Sequence, residues 1–355
     1  MAKTFRVIDT GIRDGRRQIA FDQALIDARK AGSIPDTIRF LRFPPTALIG
    51  RHQALSREVE LQYCRAHGIG VVRRITGGGA IYFDEGQLGW ELVFDRKTLA
   101  IGSLAELTRE ICEAAAAGLS KLGVAARYRP RNDIEVEGRK ISGTGGFFDQ
   151  DTLFYQGTVL VDMNAAEMTA ALKVPEAKLA KRSLDSAAQR VVTLKELLGA
   201  APSIEAIQEA LLAGFAERLA ITAVAGDITA LEEELAAKYY DEEIGTDAFV
   251  AEIDDPSAGA EVRSASHTGV GGTITVYARL AGAQRDRIDK VLITGDFFVT
   301  PPRTVFDLEA ALRDVTVAEA GPAVERFFTE ARVGLLSVSP ADFRSAVEAA
   351  LGAPS

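Results

Sequence analysis

Cysteine is nearly missing: the 355 residues contain two, Cys64 and Cys112. They lie far apart and make no Cys-x-x-Cys arrangement, which excludes a disulfide scaffold and a cysteine-rich zinc site. Long hydrophobic runs are missing too. Nowhere do about 18 apolar residues follow one another, so no membrane-spanning helix is expected. The segment from Met1 to Val7 has no apolar stretch of the signal-peptide kind. Positive charge is in deficit, with 41 Lys and Arg against 50 Asp and Glu and a formal net charge of −9. A general nucleic-acid binder needs a basic footprint, which argues against that class. No internal repeat or low-complexity tract stands out. These absences leave the expectation of a soluble cytoplasmic protein without nucleic-acid or membrane partners.

What is present is ample core material, 47% hydrophobic residues. A chain this long favours two domains over one. Composition shifts near Asp241-Glu242-Glu243 and again at Asp254 to Gly259. The boundary is therefore placed around residue 250, giving units 1–250 and 251–355.

Periodicity supplies the elements. Apolar positions in 16–31 recur at helical spacing, Thr37 to Phe43 alternates as a half-buried strand, and Ala47 to Gln53 reads as a second strand. Ser56 is an N-cap candidate for a helix burying Val59, Leu61 and Cys64. Gln87 to Phe94, with the single tryptophan Trp90, reads as a strand. Ser103 to Leu122 and Ser203 to Leu219 read as helices, the first making Cys112 an interior residue. Beyond residue 250, 271–280 and 287–295 form an antiparallel pair. Helices follow at Thr304–Arg313, Gly321–Thr329 and Pro340–Leu351.

Two stretches carry chemistry. In Val71-Val72-Arg73-Arg74-Ile75-Thr76-Gly77-Gly78-Gly79-Ala80-Ile81-Tyr82-Phe83-Asp84, a glycine triplet strips away side chains where a ligand could lie on the backbone. Two arginines at its entrance offer planar donor forks suited to carboxylate or phosphate. A hairpin whose glycines serve the turn is the competing reading. In the second stretch, Arg131-Asn132-Asp133 leads through a strand to a turn near Glu137-Gly138. The chain then returns through Arg139-Lys140-Ile141-Ser142-Gly143-Thr144-Gly145-Gly146. Arg127, Arg129, Arg131, Arg139 and Lys140 lie in or beside it, so positive charge is focused locally in an acidic chain. Gln156-Gly157-Thr158-Val159-Leu160-Val161-Asp162 and Arg190-Val191-Val192-Thr193-Leu194-Lys195-Glu196-Leu197 come after.

In this order and spacing, the four segments resemble the lipoate–protein ligase family. The implied fold is α/β (α+β): a large biotin/lipoate ligase-like catalytic domain of mixed sheets and helices, with a small C-terminal α/β accessory domain. The implied reaction is ATP-dependent. Lipoate or octanoate is activated to an acyl adenylate, then passed to a lysine of a lipoyl-domain or glycine-cleavage H-like carrier.

The resemblance implies roles residue by residue. Lys140 is the catalytic candidate, a mobile point charge beside the reacting oxygens. Arg74 would contact phosphate or acyl carboxylate, with Arg73 structural or at the rim. Thr76, Gly77, Gly78 and Gly79 would carry the adenylate, walled by Ala80, Ile81 and Tyr82. Asn132 and Asp133 would face the adenylate and a substrate-borne Mg2+. Ser142, Gly143 and Thr144 would donate hydrogen bonds near the anhydride, and Gln156 and Gly157 complete the set. A loop within Met163–Leu198, with Lys178, Lys181 and Arg182, would order over the adenylate. Arg51 and His52 border the acyl pocket, with His52 read as a satisfied structural histidine.

Two departures stand out. Phe83 replaces the family's histidine before Asp84, and Gln156 stands where histidine is common. The alternatives are an ATP-independent octanoyltransferase, a biotin–protein ligase-like enzyme and a non-catalytic carrier-binding protein. Transferases of this sequence plan use a cysteine nucleophile, whereas Cys64 and Cys112 read as core positions away from the signatures. A monomer is expected.

Overall fold

The computed structural model describes residues 3–173, 190–255, 261–331 and 333–352. Along the chain the strands are β1 (Lys3–Ile12), β2 (Thr37–Arg42), β3 (Thr46–Ile49), β4 (Gly70–Arg73), β5 (Ile81–Phe83), β6 (Gln87–Asp95), β7 (Arg127–Arg129) and β8 (Asp133–Val136). They continue as β9 (Arg139–Asp149), β10 (Thr152–Leu160), β11 (Ile221–Ala225), β12 (Arg263–Gly269), β13 (Gly272–Ala281), β14 (Arg287–Gly295), β15 (Val299–Thr300) and β16 (Gly334–Leu335). Eight of them form one mixed sheet in the order β11-β1-β2-β6-β10-β9-β8-β7. β1 pairs in parallel with both β11 and β2, and the remaining pairs are antiparallel.

Alternation along β6 shows how this sheet is covered. Leu88, Trp90, Leu92 and Phe94 join the cluster that includes Leu107, Ile111 and Cys112 of the helix Leu104–Ser120 and Leu211 and Phe215 of the helix Ile204–Leu219. Ser103 and Ser203 cap those two helices with their hydroxyls, as their positions in the sequence suggest. The opposite face carries Gly89, Glu91 and Val93 beneath the helix Gly15–Lys30 and the small sheet β4-β3-β5.

That small sheet decides between the two readings of the glycine stretch. β4 and β5 do not pair with each other; each pairs with β3, one parallel and one antiparallel. The glycines therefore connect the two outer strands across β3, and a hairpin turn is excluded. Two other expectations are corrected. The strand beginning near Ala47 stops at Ile49, because the chain turns back with Gln53 N donating to Gly50 O at 3.1 Å. The helix expected from Ser56 is two short ones, Leu55–Glu58 and Leu61–Ala66, broken where Val59 bridges Leu172. Ser56 is no N-cap, and its hydroxyl donates to Asp254 O at 2.7 Å.

From Ile274 to Leu351 the chain packs a hydrophobic cluster of its own, in which β13 and β14 meet the helices Thr304–Ala311, Ala320–Glu330 and Pro340–Leu351. β12 is added to the expected pair. Among the described residues no helix is long and apolar enough to cross a membrane. Lys178, Lys181 and Arg182 lie outside the described residues.

Candidate active site

A cavity of about 260 Å³ opens between the glycine stretch and the Gly89–Glu91 face of the large sheet. Cross-strand register builds its floor in two rows. Arg39, Glu91, Gln156 and Gly145 stand side by side in one; in the next, Leu41, Gly89 and Thr158 align, and Gly143, which pairs with Asp133, donates its N–H to Thr158 Oγ1 at 3.4 Å. Met163, Met168 and Leu172 add apolar wall.

Lys140 reaches this cavity through an irregularity. Asp133 pairs with Gly143 and Ile134 with Ser142, but Glu135 pairs with Lys140, leaving Ile141 as an extra residue. Such a bulge re-aims the side chains on either side of it. Lys140 thereby shares a face with Gly143 and Gly145. A Cβ added to Gly143 would meet the ammonium nitrogen at 2.6 Å, so the missing side chain makes room for it. The Arg190–Val192 segment pins the lysine's backbone, with Lys140 N donating to Arg190 O at 2.8 Å and Val192 N to Lys140 O at 2.9 Å. The ammonium pairs with Asp133 Oδ1 at 2.8 Å, and Arg129 holds Asp133 Oδ2 at 2.7 Å. Burial alone would raise the Asp133 carboxyl; the two cations, Lys140 foremost, outweigh it and hold the group below its usual range.

Ser142 and Thr144 face the other way. Expected to donate into the site, both hydroxyls lie on the helix side of β9. Thr144 Oγ1 sits 3.3 Å from Cys112 Sγ and 2.5 Å from Tyr155 Oη, and Ser142 Oγ is buried without a partner. Cys112 is thus next to a signature residue rather than remote from it. It is also inert: burial pushes its thiol up to about 11, against the pull of the two hydroxyls.

Both arginines are spent on the backbone. Arg73, fully buried, donates to the carbonyls of Gly50, Arg51, Gln53, Phe249, Val250 and Ile253 at 2.7–3.3 Å. Arg74 lines the cavity, yet its guanidinium donates to the carbonyls of Leu48, Gly77 and Gly79 at 3.0–3.1 Å and to Thr76 Oγ1 at 3.4 Å. Burial lowers it to about 10, so it stays charged at neutral pH. Arg74 therefore shapes the glycine stretch, a correction to its expected role as an open anion contact. Thr76 is likewise buried, taking a hydrogen bond from Gln156 Nε2 at 2.9 Å.

The glycines divide the work. A Cβ at Gly77 would lie 2.2 Å from Phe297 O, and one at Gly78 would lie 2.6 Å from the Phe298 ring. Gly79 stays open on the cavity side, with only Asp296 nearby at 3.6 Å. Phe298 also covers Gly145, where a Cβ would come within 2.2 Å of the ring. This phenyl from the C-terminal unit lines the cavity, and nothing in its local sequence foretells that. Gly157 lines the cavity and also makes room for the Trp90 indole.

Of the other expected residues, Ala80, Ile81, Tyr82, Asn132 and Gln156 line the cavity, as does Phe83. Asp84 is structural, accepting from Gly86 N at 2.9 Å and Asn164 N at 3.0 Å. Asp133, expected to face magnesium, is committed to Lys140 and Arg129. Among the described residues no three or more His, Cys, Asp or Glu side chains gather as a metal site. Arg51 pairs with Glu252, away from this cavity. His52 is buried and stacked on Phe297 at 5.5 Å between ring centroids, but neither ring nitrogen has a partner, so it is not satisfied. Burial holds it neutral, with a pKa of about 3.

A buried charge cluster escaped the sequence reading. Arg39 Nη1 donates to Asp22 Oδ1 at 2.6 Å and to Glu91 Oε2 at 3.0 Å, and both carboxyl groups line the cavity.

Comparison with known proteins places this geometry. Residues 14–216 match the family model described as the lipoyl protein ligase A/B catalytic domain. An octanoyltransferase LipM of Symbiobacterium thermophilum is 32% identical over 70% of this chain and 98% of its own length. Lipoate-protein ligase A subunit 1 of Thermoplasma acidophilum is 31% identical over 65% of this chain and 90% of its own. A solved bipartite lipoate protein ligase of Thermoplasma acidophilum, described together with its E2 lipoyl domain, superposes with TM-score 0.63 at 28% identity over 70% of this chain and 97% of that one. Plasmodium falciparum LipL1 in complex with lipoate shares the fold along 98% of both chains, with TM-score 0.74 at 17% identity.

Proposed function

The chain belongs to the lipoyl protein ligase A/B catalytic-domain family, and from that premise we propose that it is an ATP-dependent, AMP-forming lipoate–protein ligase. The observation that carries this reading is the Lys140 ammonium, laid over Gly143 and lining one cavity with Gly78, Gly79 and Asn132. In the proposed sequence the carboxylate of lipoate or octanoate attacks the α-phosphorus of ATP and pyrophosphate leaves. A carrier lysine amine then attacks the acyl carbon of the mixed anhydride, giving an amide and AMP. Both steps build negative charge on oxygens, and a fixed cation within reach of each lowers both barriers. Gly79 leaves backbone bare, Gly143 makes room for the Lys140 side chain, and Asp133 keeps the ammonium oriented. Magnesium would arrive with the nucleotide phosphates, because the one carboxylate beside Lys140 is already paired.

Absence of an available thiol also supports the ligase. Covalent acyl transfer through cysteine needs an accessible thiolate, and both cysteines are buried. The second reading, an octanoyltransferase, rests on the near full-length match to relatives bearing that name. A solved lipoate-protein ligase A bound with ATP, similar at TM-score 0.60 and 26% identity, favours nucleotide use. We further propose a lipoyl-domain or H-like carrier as partner, a monomeric enzyme, and a separate accessory role for residues 251–355. The test is mass spectrometry of a lipoyl domain incubated with the protein and lipoate, with and without Mg-ATP. Acylation and pyrophosphate release that need ATP are expected; acylation from an octanoyl thioester without nucleotide would establish the transferase instead.

A further inference from the structure

The cavity ends in more acid than its structure requires. Arg39, Asp22 and Glu91 are each at most 2% exposed, and a single guanidinium nitrogen serves both carboxyl groups. One carboxylate would neutralise one guanidinium; a second, taken out of water and offset only by the field of Arg74, which makes no ion pair with it, is costly. Arg39 is further satisfied by Thr10 Oγ1 at 3.1 Å and by the Gln18 side chain, so it needs no second acid. Asp22 Oδ2 is buried and has no hydrogen-bond partner, and both acids line the cavity. Around them the lining is hydrocarbon: Ile19, Leu41, Phe43 and Leu48. Glu91 lies two strands and two residues from Gly143, on which Lys140 rests, roughly 12 Å across the sheet at ordinary strand spacings. Gly89 lies between them on the floor, with the Leu41 side chain laid over it, where a Cβ would meet Leu41 Cδ2 at 2.8 Å.

Resting on the acyl-site reading above, we infer that Asp22 and Glu91 are specificity-determining residues that select an acyl chain carrying a sulfur or hydroxyl near its far end over a plain alkyl chain. Burial and then the neighbouring Glu91 charge raise Asp22 well above the usual carboxyl range, despite Arg39, which favours its neutral form over the charged one. Such a neutral acid is a hydrogen-bond donor in an apolar setting. A ligand heteroatom can accept that bond, and a ligand hydroxyl can also donate to a carboxyl oxygen. A terminal methyl group offers neither and leaves Asp22 Oδ2 without a partner, the situation in which a polar site discriminates most strongly.

Trp90, the single tryptophan, sits on the strand that floors the cavity, its indole packed on the far face of the sheet, and provides the signal. Octanoate, 8-hydroxyoctanoate and lipoate are titrated into the full-length protein without nucleotide, following tryptophan fluorescence and checked by calorimetry. The two heteroatom-bearing acids are expected to bind at least about tenfold tighter than octanoate, a difference of about 1.4 kcal/mol. Glu91→Leu should erase or reverse that order, and Glu91→Gln, which still hydrogen-bonds, should keep it. The hydroxy acid and lipoate arms separate hydroxyl from sulfur recognition. Equal binding of all three acids to the natural protein overturns the inference, as does a Glu91→Leu variant that weakens all three by one common factor. Expected preference without ATP-dependent turnover leaves the inference standing and removes only the ligase reading; no binding of any acid removes the acyl site itself.

Discussion

The glycine stretch and the lysine strand face each other across one cavity, yet they are held in place by different means. β9 is fixed by a ladder: β8 and β10 pair along it, and the Arg190–Val192 segment clamps Lys140. The 76–80 segment has no ladder. Its shape comes from the Arg74 side chain, the Gln156–Thr76 hydrogen bond and Gly78 N donating to Phe297 O at 3.0 Å. Arg73 adds the tie that joins residues 50–53 to 249–253. The comparison teaches that backbone suited to a ligand can be presented either by strand pairing or by buried cations spent on carbonyls. The second leaves the site dependent on residues still farther away in sequence, Phe297 among them.

Four substitutions test that contrast, beginning with the largest effect. Arg73→Met strips donors from six buried carbonyls and should cost about 3–5 kcal/mol of stability, read as the urea midpoint at constant m-value. A loss under about 1 kcal/mol would mean that the 50–53 and 249–253 segments do not rely on it. Lys140→Met should be modestly destabilising, because it removes the main cation beside Asp133, and should slow pyrophosphate release on the order of 10² to 10³-fold. Full activity in that variant would remove the ammonium from the chemistry. Asp133→Asn should be modestly destabilising at neutral pH. Because the folded carboxyl lies below its unfolded value, its stabilisation is complete above about pH 4 and fades as pH falls through the folded pKa. Melting curves of the two proteins should therefore converge in acid; a gap independent of pH would show that the ion pair contributes nothing. Ser142→Ala is the smallest: it deletes a buried hydroxyl without a partner, so stability should hold or rise slightly and activity should not change. A large activity loss there would mean that the hydroxyl turns into the site.

Local pattern carried much of this in the sequence. Helical spacing gave the helix Leu104–Ser120, and Glu137-Gly138 gave the turn, with φ of 52° and 79°. Glycine triplet and lysine did converge on one cavity. What escaped depends on register. Strict alternation along β9 would put Lys140 with Ser142 and Thr144, and only the extra residue Ile141 moves it to the glycine face. Arg39 and Glu91 look like solvent-facing positions of two alternating strands until β2 and β6 are laid side by side. The β1–β11 pair joins segments over two hundred residues apart, and no local signal announces it. Phe298 belongs with these, because the glycines it covers, Gly78 and Gly145, lie far from it in sequence.

That phenyl has a steric corollary. Its ring fills the space over both Gly78 and Gly145, so a base or acyl group cannot rest on either glycine while the ring is there. Occupancy of the two platforms is mutually exclusive between guest and host, so a ligand that rests on either glycine must first displace the ring.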